Sequence, residues 1–412
     1  MGLMLDTTPM RASRDFRRLW CAQAVSFLGS TVTMAALPLE VYRQTHSSVM
    51  VGVLGAVQLV PMVACSMAGG ALADSIDKRV LLLGVTLASA ACSAGLAANA
   101  ALHHPQLWLL LVLGAGNMAL FGLTFPVLRS LLPLLLEPEL RPAGFALQAT
   151  YGTFGMMSGP VIGGVMIGAF GFGPTYLFDV GTYAIAFVLF SRISAAPPAG
   201  AARPASLATI REGLRFVRAR PVIVSILGID TLAMVFGMPR ALFPALTARL
   251  GGGPILYGFM LGSFAAGAFL ASVTSGWTGR VRKQGRAVIM CVALWGIAIA
   301  VAGVTDNTAT VLVMFAFAGG ADMISGVYRS AIAADATPDE MRGRVSGVEL
   351  AVYAGGPVLG DVESGLVGGL IGLPFAIVSG GLACVVGAGL FAWKVPEFAN
   401  YVPALGARRG AE

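Results

Sequence analysis

Glu40, Arg129, Asp179, Asp230, Arg240, Asp322, Arg329, Glu349, Asp361 and Glu363 stand inside long apolar stretches of this 412-residue chain. A charge in an apolar medium is expensive, so such residues either do work through their charge or form structural pairs. Burial raises the pKa of a carboxylate and a nearby cation lowers it again. A carboxylate that alternates between those surroundings takes up a proton on one side and releases it on the other. Depth ranks the candidates. Asp230 lies about 13 Å into its stretch at 1.5 Å per residue, and Asp322 lies near the centre of its own. They are the first choices for proton coupling, Asp322 ahead of Asp230, with Asp361 and Glu363 behind them. Glu40, Arg240, Arg329 and Glu349 stand closer to segment ends, where a long side chain can reach water.

Other chemistries lack their parts. The three histidines, His46, His103 and His104, fall in short turns, which excludes a histidine relay and a paired-histidine metal site. Cys21, Cys65, Cys92, Cys291 and Cys384 sit in apolar segments without paired spacing, so neither disulfides, nor a metal, nor a cofactor are expected. The only lysines are Lys78, Lys283 and Lys394, and none closes a phosphate-cradling Gly-rich loop. Gly-x-Ser-x-Gly is absent as well, so an enzyme is not expected.

The elements that must carry the buried charges are membrane helices. The composition is 57% hydrophobic and 11% charged, with mean hydropathy +0.81, which points to a polytopic membrane protein. Twelve apolar runs reach the roughly 20 residues that cross a 30 Å hydrocarbon core. They fall near 16–43, 49–73, 80–101, 107–135, 143–170, 174–194, 221–247, 254–278, 286–305, 308–334, 345–370 and 374–395. The expected fold is all-α, with twelve transmembrane helices in two pseudo-symmetric halves of six. The expected domains are an N-terminal tail (1–15), one bundle (16–194), a linker (195–220), a second bundle (221–395) and a tail (396–412).

The net charge of +7 does not mark a nucleic-acid partner. With the N-terminus inside, only Arg43, Arg240 and Arg249 fall outside, and Arg129 and Arg329 fall within segments. The other cations gather on the inner side, so both termini are expected in the cytoplasm of a multi-pass inner (plasma) membrane protein. Within the linker, Ser206–Arg220 is a basic amphipathic helix suited to the inner membrane surface.

One stretch repeats. Gly155, Gly159 and Gly163 share a helix face that lets another backbone come close, with Pro160 and Gly164 beside them. Gly356, Gly360 and Gly365 reproduce the spacing of Gly155, Gly159 and Gly164 in the second half, and Gly258 and Gly276 reproduce Gly52 and Gly70. The inner loop Gly70-Ala71-Leu72-Ala73-Asp74-Ser75-Ile76-Asp77-Lys78-Arg79 joins a carboxylate to two cations, as a polar latch would. Its second copy, Gly279-Arg280-Val281-Arg282-Lys283, has kept cations and lost the carboxylate.

These motifs carry a resemblance. Gly70, Leu72, Asp74, Lys78 and Arg79 are similar to the cytoplasmic signature of the major facilitator superfamily, from which Ser75 and Asp77 depart. Gly155-x-x-x-Gly159-Pro160-x-x-Gly163-Gly164 resembles the antiporter motif of its exporters, with Ala146 in place of an upstream Gly. Pro126–Pro133, Arg211–Val217 and Thr337–Val345 resemble the enterobactin-exporter and macrolide-efflux branch. The resemblance implies a cavity lined by the first, fourth, seventh and tenth helices. Gln23 and Asn117 would join Asp230 and Asp322 there, with Arg129 nearer its inner mouth, while Asp179, on a peripheral helix, would be a structural, hydrogen-bonded carboxylate. It also implies a cytoplasmic gate of Gly70, Asp74, Lys78, Arg79, Arg342 and Arg344. The function expected is export of a hydrophobic or amphipathic small molecule, a drug or siderophore, by proton antiport with alternating access. The expected partners are that substrate, protons and membrane lipid, and the expected state is a monomer. A proton-coupled nutrient importer of the same fold, or a transport-dead sensor, is the alternative.

Overall fold

The computed structural model describes residues 6–195, 207–338 and 341–402; within these, the side chains at 70, 71, 73, 74, 207–211, 213, 343, 347, 350, 351 and 354 are not described. The first half holds α1 (Thr8–Ala12), α2 (Arg14–Thr45), α3 (Ser48–Ser75), α4 (Lys78–Ala100), α5 (Leu107–Leu135), α6 (Arg141–Phe170) and α7 (Phe172–Phe190). Then come α8 (Leu207–Arg218), α9 (Pro221–Phe236), α10 (Phe243–Arg249), α11 (Pro254–Val273) and α12 (Gln284–Val304). The chain closes with α13 (Thr308–Ala336), α14 (Arg342–Leu370), α15 (Leu373–Lys394) and α16 (Pro396–Ala399). Among the described residues, eleven stretches are long and apolar enough to cross a membrane. The twelfth long helix is α14, whose 29 residues include Glu349, Asp361 and Glu363. At 1.5 Å per residue it is about 43 Å long, enough to cross. The fold is all-α with twelve membrane-length segments, of which Pro221–Arg249 is divided between α9 and α10.

The chain divides into two compact units. One comprises Met1–His46, Leu54–Pro204 and Gly252–Gly262, and the other Ser47–Val53, Ala205–Gly251 and Ser263–Glu412. Thus the first turns of α3 group with the second unit, and those of α11 with the first. Of the expected linker and C-terminal tail, residues 196–206 and 403–412 lie outside the described residues.

In the first unit α2 packs along α6 and α7, and α4 along α5 and α7. The repeated glycines make the first of these contacts. A Cβ on Gly155 would stand 2.6 Å from the Phe27 ring, and one on Gly159 would strike the Thr31 hydroxyl. Gly163 meets Val32, while Gly164 turns to Pro254 and Gly258. Ser13 caps α2 by accepting from the Phe16 amide at 3.1 Å. Asp77, where the superfamily's signature has Gly, caps α4 by accepting from the Arg79 amide at 2.8 Å.

The second unit repeats the seam: Gly356 and Gly360 of α14 meet Met234 of α9, and Gly365 meets Ser48 and Gly52. Ile226, Ile229, Val288, Val292, Tyr328, Ile332 and Cys384 form its core. The single run expected at 221–247 is broken. α9 stops at Phe236, a short turn follows Pro239, and α10 starts at Phe243. Proline lacks a backbone donor and resists following a helical residue. The Trp295 Nε1–H donates to the freed Gly237 carbonyl at 2.6 Å, which is how a broken helix is tolerated at membrane depth.

The amphipathic helix expected in the linker forms as α8 and packs in part within the second unit. Val217 of α8 is buried with Ile223, Leu227 and Val345, and Glu212 accepts from Arg344 at 2.7 Å. The C-terminal end of its apolar stripe thus packs on α9 and α14.

Candidate functional site

A cavity of about 520 Å³ opens inside the first unit, and Gln23, Asn117 and Arg129 all line it. Gln23 comes from α2, Asn117 and Arg129 from α5. Phe27, Phe121, Phe125, Phe145 and Phe190 supply apolar wall, with Met34 and Met118. The Arg129 guanidinium sits 5.0 Å from the centre of the Phe125 ring, a cation–π placement that keeps a positive charge at an apolar surface.

The polar floor of this cavity is a hydroxyl network centred on Asp179, which is fully buried. Its carboxylate accepts from Thr33 at 2.7 Å, from Ser93 at 2.8 Å and from Thr182 at 3.3 Å. Asn117 Nδ2 donates to the Ser93 hydroxyl at 3.4 Å, and Ser30 and Tyr183 share a hydrogen bond of 2.9 Å. Asp179 is hydrogen-bonded as expected, but it also lines the cavity. Sequence reasoning missed that, together with Tyr151 and Tyr183. The available signal was a run of Ser and Thr at helical spacing on α2 and α4, facing α7.

Glu40 does not reach water. It is 3% exposed and accepts from Tyr176 at 2.5 Å, so the expectation that a segment-end position would free it fails. α7 covers that end of α2.

The second unit gathers charge around Arg329. Its guanidinium pairs with Asp230 across α13 and α9, and stands 3.3 Å from Asp322, two turns earlier on α13. Glu349 and Tyr353 of α14 are within electrostatic reach. Arg329 therefore does not snorkel: its side chain is 6% accessible, against 2% for Asp230 and 47% for Asp322. One carboxylate is sealed against the cation, and the other faces open space. Asp361 is elsewhere, paired with Arg240 at 3.0 Å. Glu363, two residues on and hence on another face of α14, has no hydrogen bond or ion pair among the described residues. Of the proton-coupling candidates, Asp230 and Asp322 are brought together, and Asp361 and Glu363 are not.

The expected gate residues lie at helix ends. Lys78 is 1% exposed with no partner for its Nζ among the described residues, and Arg79 donates to the Ser191 carbonyl. Gly70 lies in α3, and the Asp74 side chain is among those not described. Arg344 holds Glu212, and Arg342 lines a basic recess at the end of the second unit. Among the described residues no cluster of His, Cys, Asp or Glu fits a metal.

The profile of the transmembrane secretion effector family of the major facilitator superfamily matches residues 6–404. The enterobactin exporter EntS of Shigella boydii serotype 4 (strain Sb227) is 26% identical over 372 residues, covering 89% of this chain and 88% of that protein. EntS of Escherichia coli O139:H28 (strain E24377A / ETEC) shows the same identity and coverage. Among solved structures, a nucleoside transporter superposes with TM-score 0.76 at 13% identity, over 92% of this chain and 99% of that one. A D-xylose–proton symporter superposes with TM-score 0.68 at 13% identity, over 94% and 99%. With twelve membrane-length segments, repeated glycine seams and a family match over nearly its whole length, the chain belongs to the transmembrane secretion effector family of the major facilitator superfamily.

Proposed function

We propose that this protein exports a hydrophobic or amphipathic small molecule, a drug or a siderophore, by proton antiport with alternating access. The observation that carries the reading is Arg329 held between a sealed carboxylate, Asp230, and an accessible one, Asp322. Protonating Asp322 removes one of the two anions that hold the guanidinium, so Arg329 shifts its bonding to Asp230 alone. Deprotonation restores the three-charge arrangement. A proton delivered from one side and lost to the other thereby changes the packing of α9 against α13. The first unit's cavity supplies the substrate surface: aromatic and Met wall, a hydroxyl floor and the cation of Arg129. Aromatic rings with a few placed polar groups suit an amphipathic ligand better than a sugar. Relatives named as enterobactin exporters favour the outward direction. In this reading there is no chemical step on the substrate. The protein works as a monomer in the inner membrane with both termini cytoplasmic, which the inner-side excess of Arg and Lys supports.

The test is transport by the purified protein in liposomes under an imposed proton gradient, with a lipophilic dye and a panel of siderophores. The expected result is movement of dye or siderophore against proton flow, lost in Asp322→Asn. Co-movement of a polar nutrient with protons would make it an importer, and binding without flux would make it a sensor.

A further inference from the structure

The first unit's cavity contains a cation that no anion meets among the described residues. Of the described lining residues, Arg129 is the only cation and Asp179 the only carboxylate. Asp179 is 0% exposed, and its oxygens are taken by the hydroxyls of Thr33, Ser93 and Thr182. Arg129 is exposed, rests its guanidinium against the Phe125 ring, and makes no ion pair or hydrogen bond among the described residues. The two charges do not meet. Ser93 ties Asp179 to Asn117 of α5, and Arg129 follows Asn117 along that helix by about 18 Å at 1.5 Å per residue.

A second polar group is open at the same level. Gln23 is 7% exposed and lines the cavity. Its side-chain amide has no hydrogen bond among the described residues and is not among the sealed polar atoms, so it opens on the cavity. Gln148 in the same wall differs, being hydrogen-bonded to Tyr151. Buried polar groups are ordinarily satisfied. Gln23 stands about 13 Å into α2 and Arg129 about 9 Å before the end of α5, and Phe16, Leu132 and Leu136 bury those two ends together. The apolar wall between the helices is aromatic: Phe27 lies 6.4 Å from Phe121 and 6.0 Å from Tyr151, centre to centre.

We propose that this cavity takes an aromatic monoanion, its flat body against the rings of Phe27, Phe121 and Phe125, its one acidic group on the Arg129 guanidinium, and the Gln23 amide as a second donor. This rests on the cavity being the surface that holds the exported molecule, which is then an acid rather than a neutral or cationic drug. The guanidinium presents forked donors that match two oxygens of a carboxylate or sulfonate. A neutral ligand would strip water from Arg129 without replacing its hydrogen bonds, and a cation would be repelled by it. Asp179 does not oppose the acid, because its charge is met by hydroxyls and lies further along the cavity.

Three probes that share one aromatic body and differ in head-group charge test this: naphthylacetate, naphthylethanol and naphthylethyl-trimethylammonium. Binding to the full-length protein in detergent is measured by calorimetry, and counterflow of each probe is followed in proteoliposomes. The wild type should bind naphthylacetate at least about tenfold more tightly than either other probe, as hydrogen bonds to a charged group give. Arg129→Gln should bring the three probes within about twofold of one another while naphthylethanol binds as it does to the wild type, and Arg129→Lys should keep part of the preference. Gln23→Leu should weaken naphthylacetate about threefold. Arg17→Gln, an exposed cation near the start of α2 outside the cavity lining, should behave as the wild type, which separates a placed charge from the general basicity of that end. Anion-selective binding that depends on Arg129, without counterflow, would refute export and leave the aromatic acid as the cavity's ligand. Counterflow of all three probes alike, or of the cation in preference, would overturn the aromatic acid and leave export standing. The proposal is also overturned if no probe binds the wild type, if Arg129→Gln keeps the preference, or if Arg17→Gln loses it.

Discussion

Replacing Asp322 by Asn should uncouple transport from the proton gradient without unfolding the second unit. At 3.3 Å, the attraction between Asp322 and Arg329 is about 5 kcal/mol at an effective dielectric constant of 20. This is a gross figure, reduced by what both groups lose in hydration. The driving force is of the same order. A proton crossing the membrane yields about 2.3 kcal/mol per 100 mV and about 1.4 kcal/mol per pH unit. Together these sustain a roughly 500-fold substrate gradient at one proton per substrate. Protonation of Asp322 can therefore release Arg329 with the energy available, whereas Asn is permanently in the released state. The assay is uptake into inverted proteoliposomes under a pH gradient, followed by a lipophilic substrate and an internal pH dye. Accumulation in Asp322→Asn should fall to a few-fold at most, with substrate-driven pH changes abolished and downhill exchange kept. Accumulation within about threefold of the wild type would refute the assignment of Asp322 as carrier.

The sealed partner behaves differently: Asp230→Asn leaves Arg329 with a single anion, and thermal unfolding in detergent should show a loss of about 3–5 kcal/mol, as for a broken buried pair. Gly159→Val drives a side chain into Thr31 and should cost about 1–3 kcal/mol or abolish membrane expression, while Gly152→Ala, with open space around it, should express normally. Asp179→Ala strands the buried hydroxyls of Thr33 and Ser93 and should destabilise by about 1–3 kcal/mol per unsatisfied group, visible as a lowered melting temperature. Trp295→Phe removes the donor to Gly237 at the break between α9 and α10, for which the same measurement should show about 1–3 kcal/mol.

Length and polarity explain what was legible in the chain. An apolar run of about 20 residues has few fates other than crossing a membrane, so the helix count follows from local composition. The glycine spacing of Gly155, Gly159 and Gly163 marks a seam because a helix face is set by periodicity alone. Gln23, Asn117 and Arg129 stood out because polar side chains in apolar helices are rare.

Partnership was not legible, because it depends on which faces meet. Asp179 and Asp322 each stand within an apolar stretch, and the chain alone does not give their neighbours in space. Packing of α7 on α2 and α4 surrounds the first with hydroxyls, whereas α13 places the second on the same face as Arg329, two turns away. Glu40 and Arg329 lie near segment ends, and distance along the chain suggested water; neighbouring helices decided otherwise by covering them. The break at Gly237–Pro239 is foreshadowed by the proline, yet its tolerance depends on Trp295, more than fifty residues later. Sequence alone determined the membrane, the repeated halves and the supply of charge, since each is a property of composition or local period. Only the tertiary structure decided which charges are paired, sealed or accessible, because a buried charge takes its energy from the groups brought within a few ångströms of it in space.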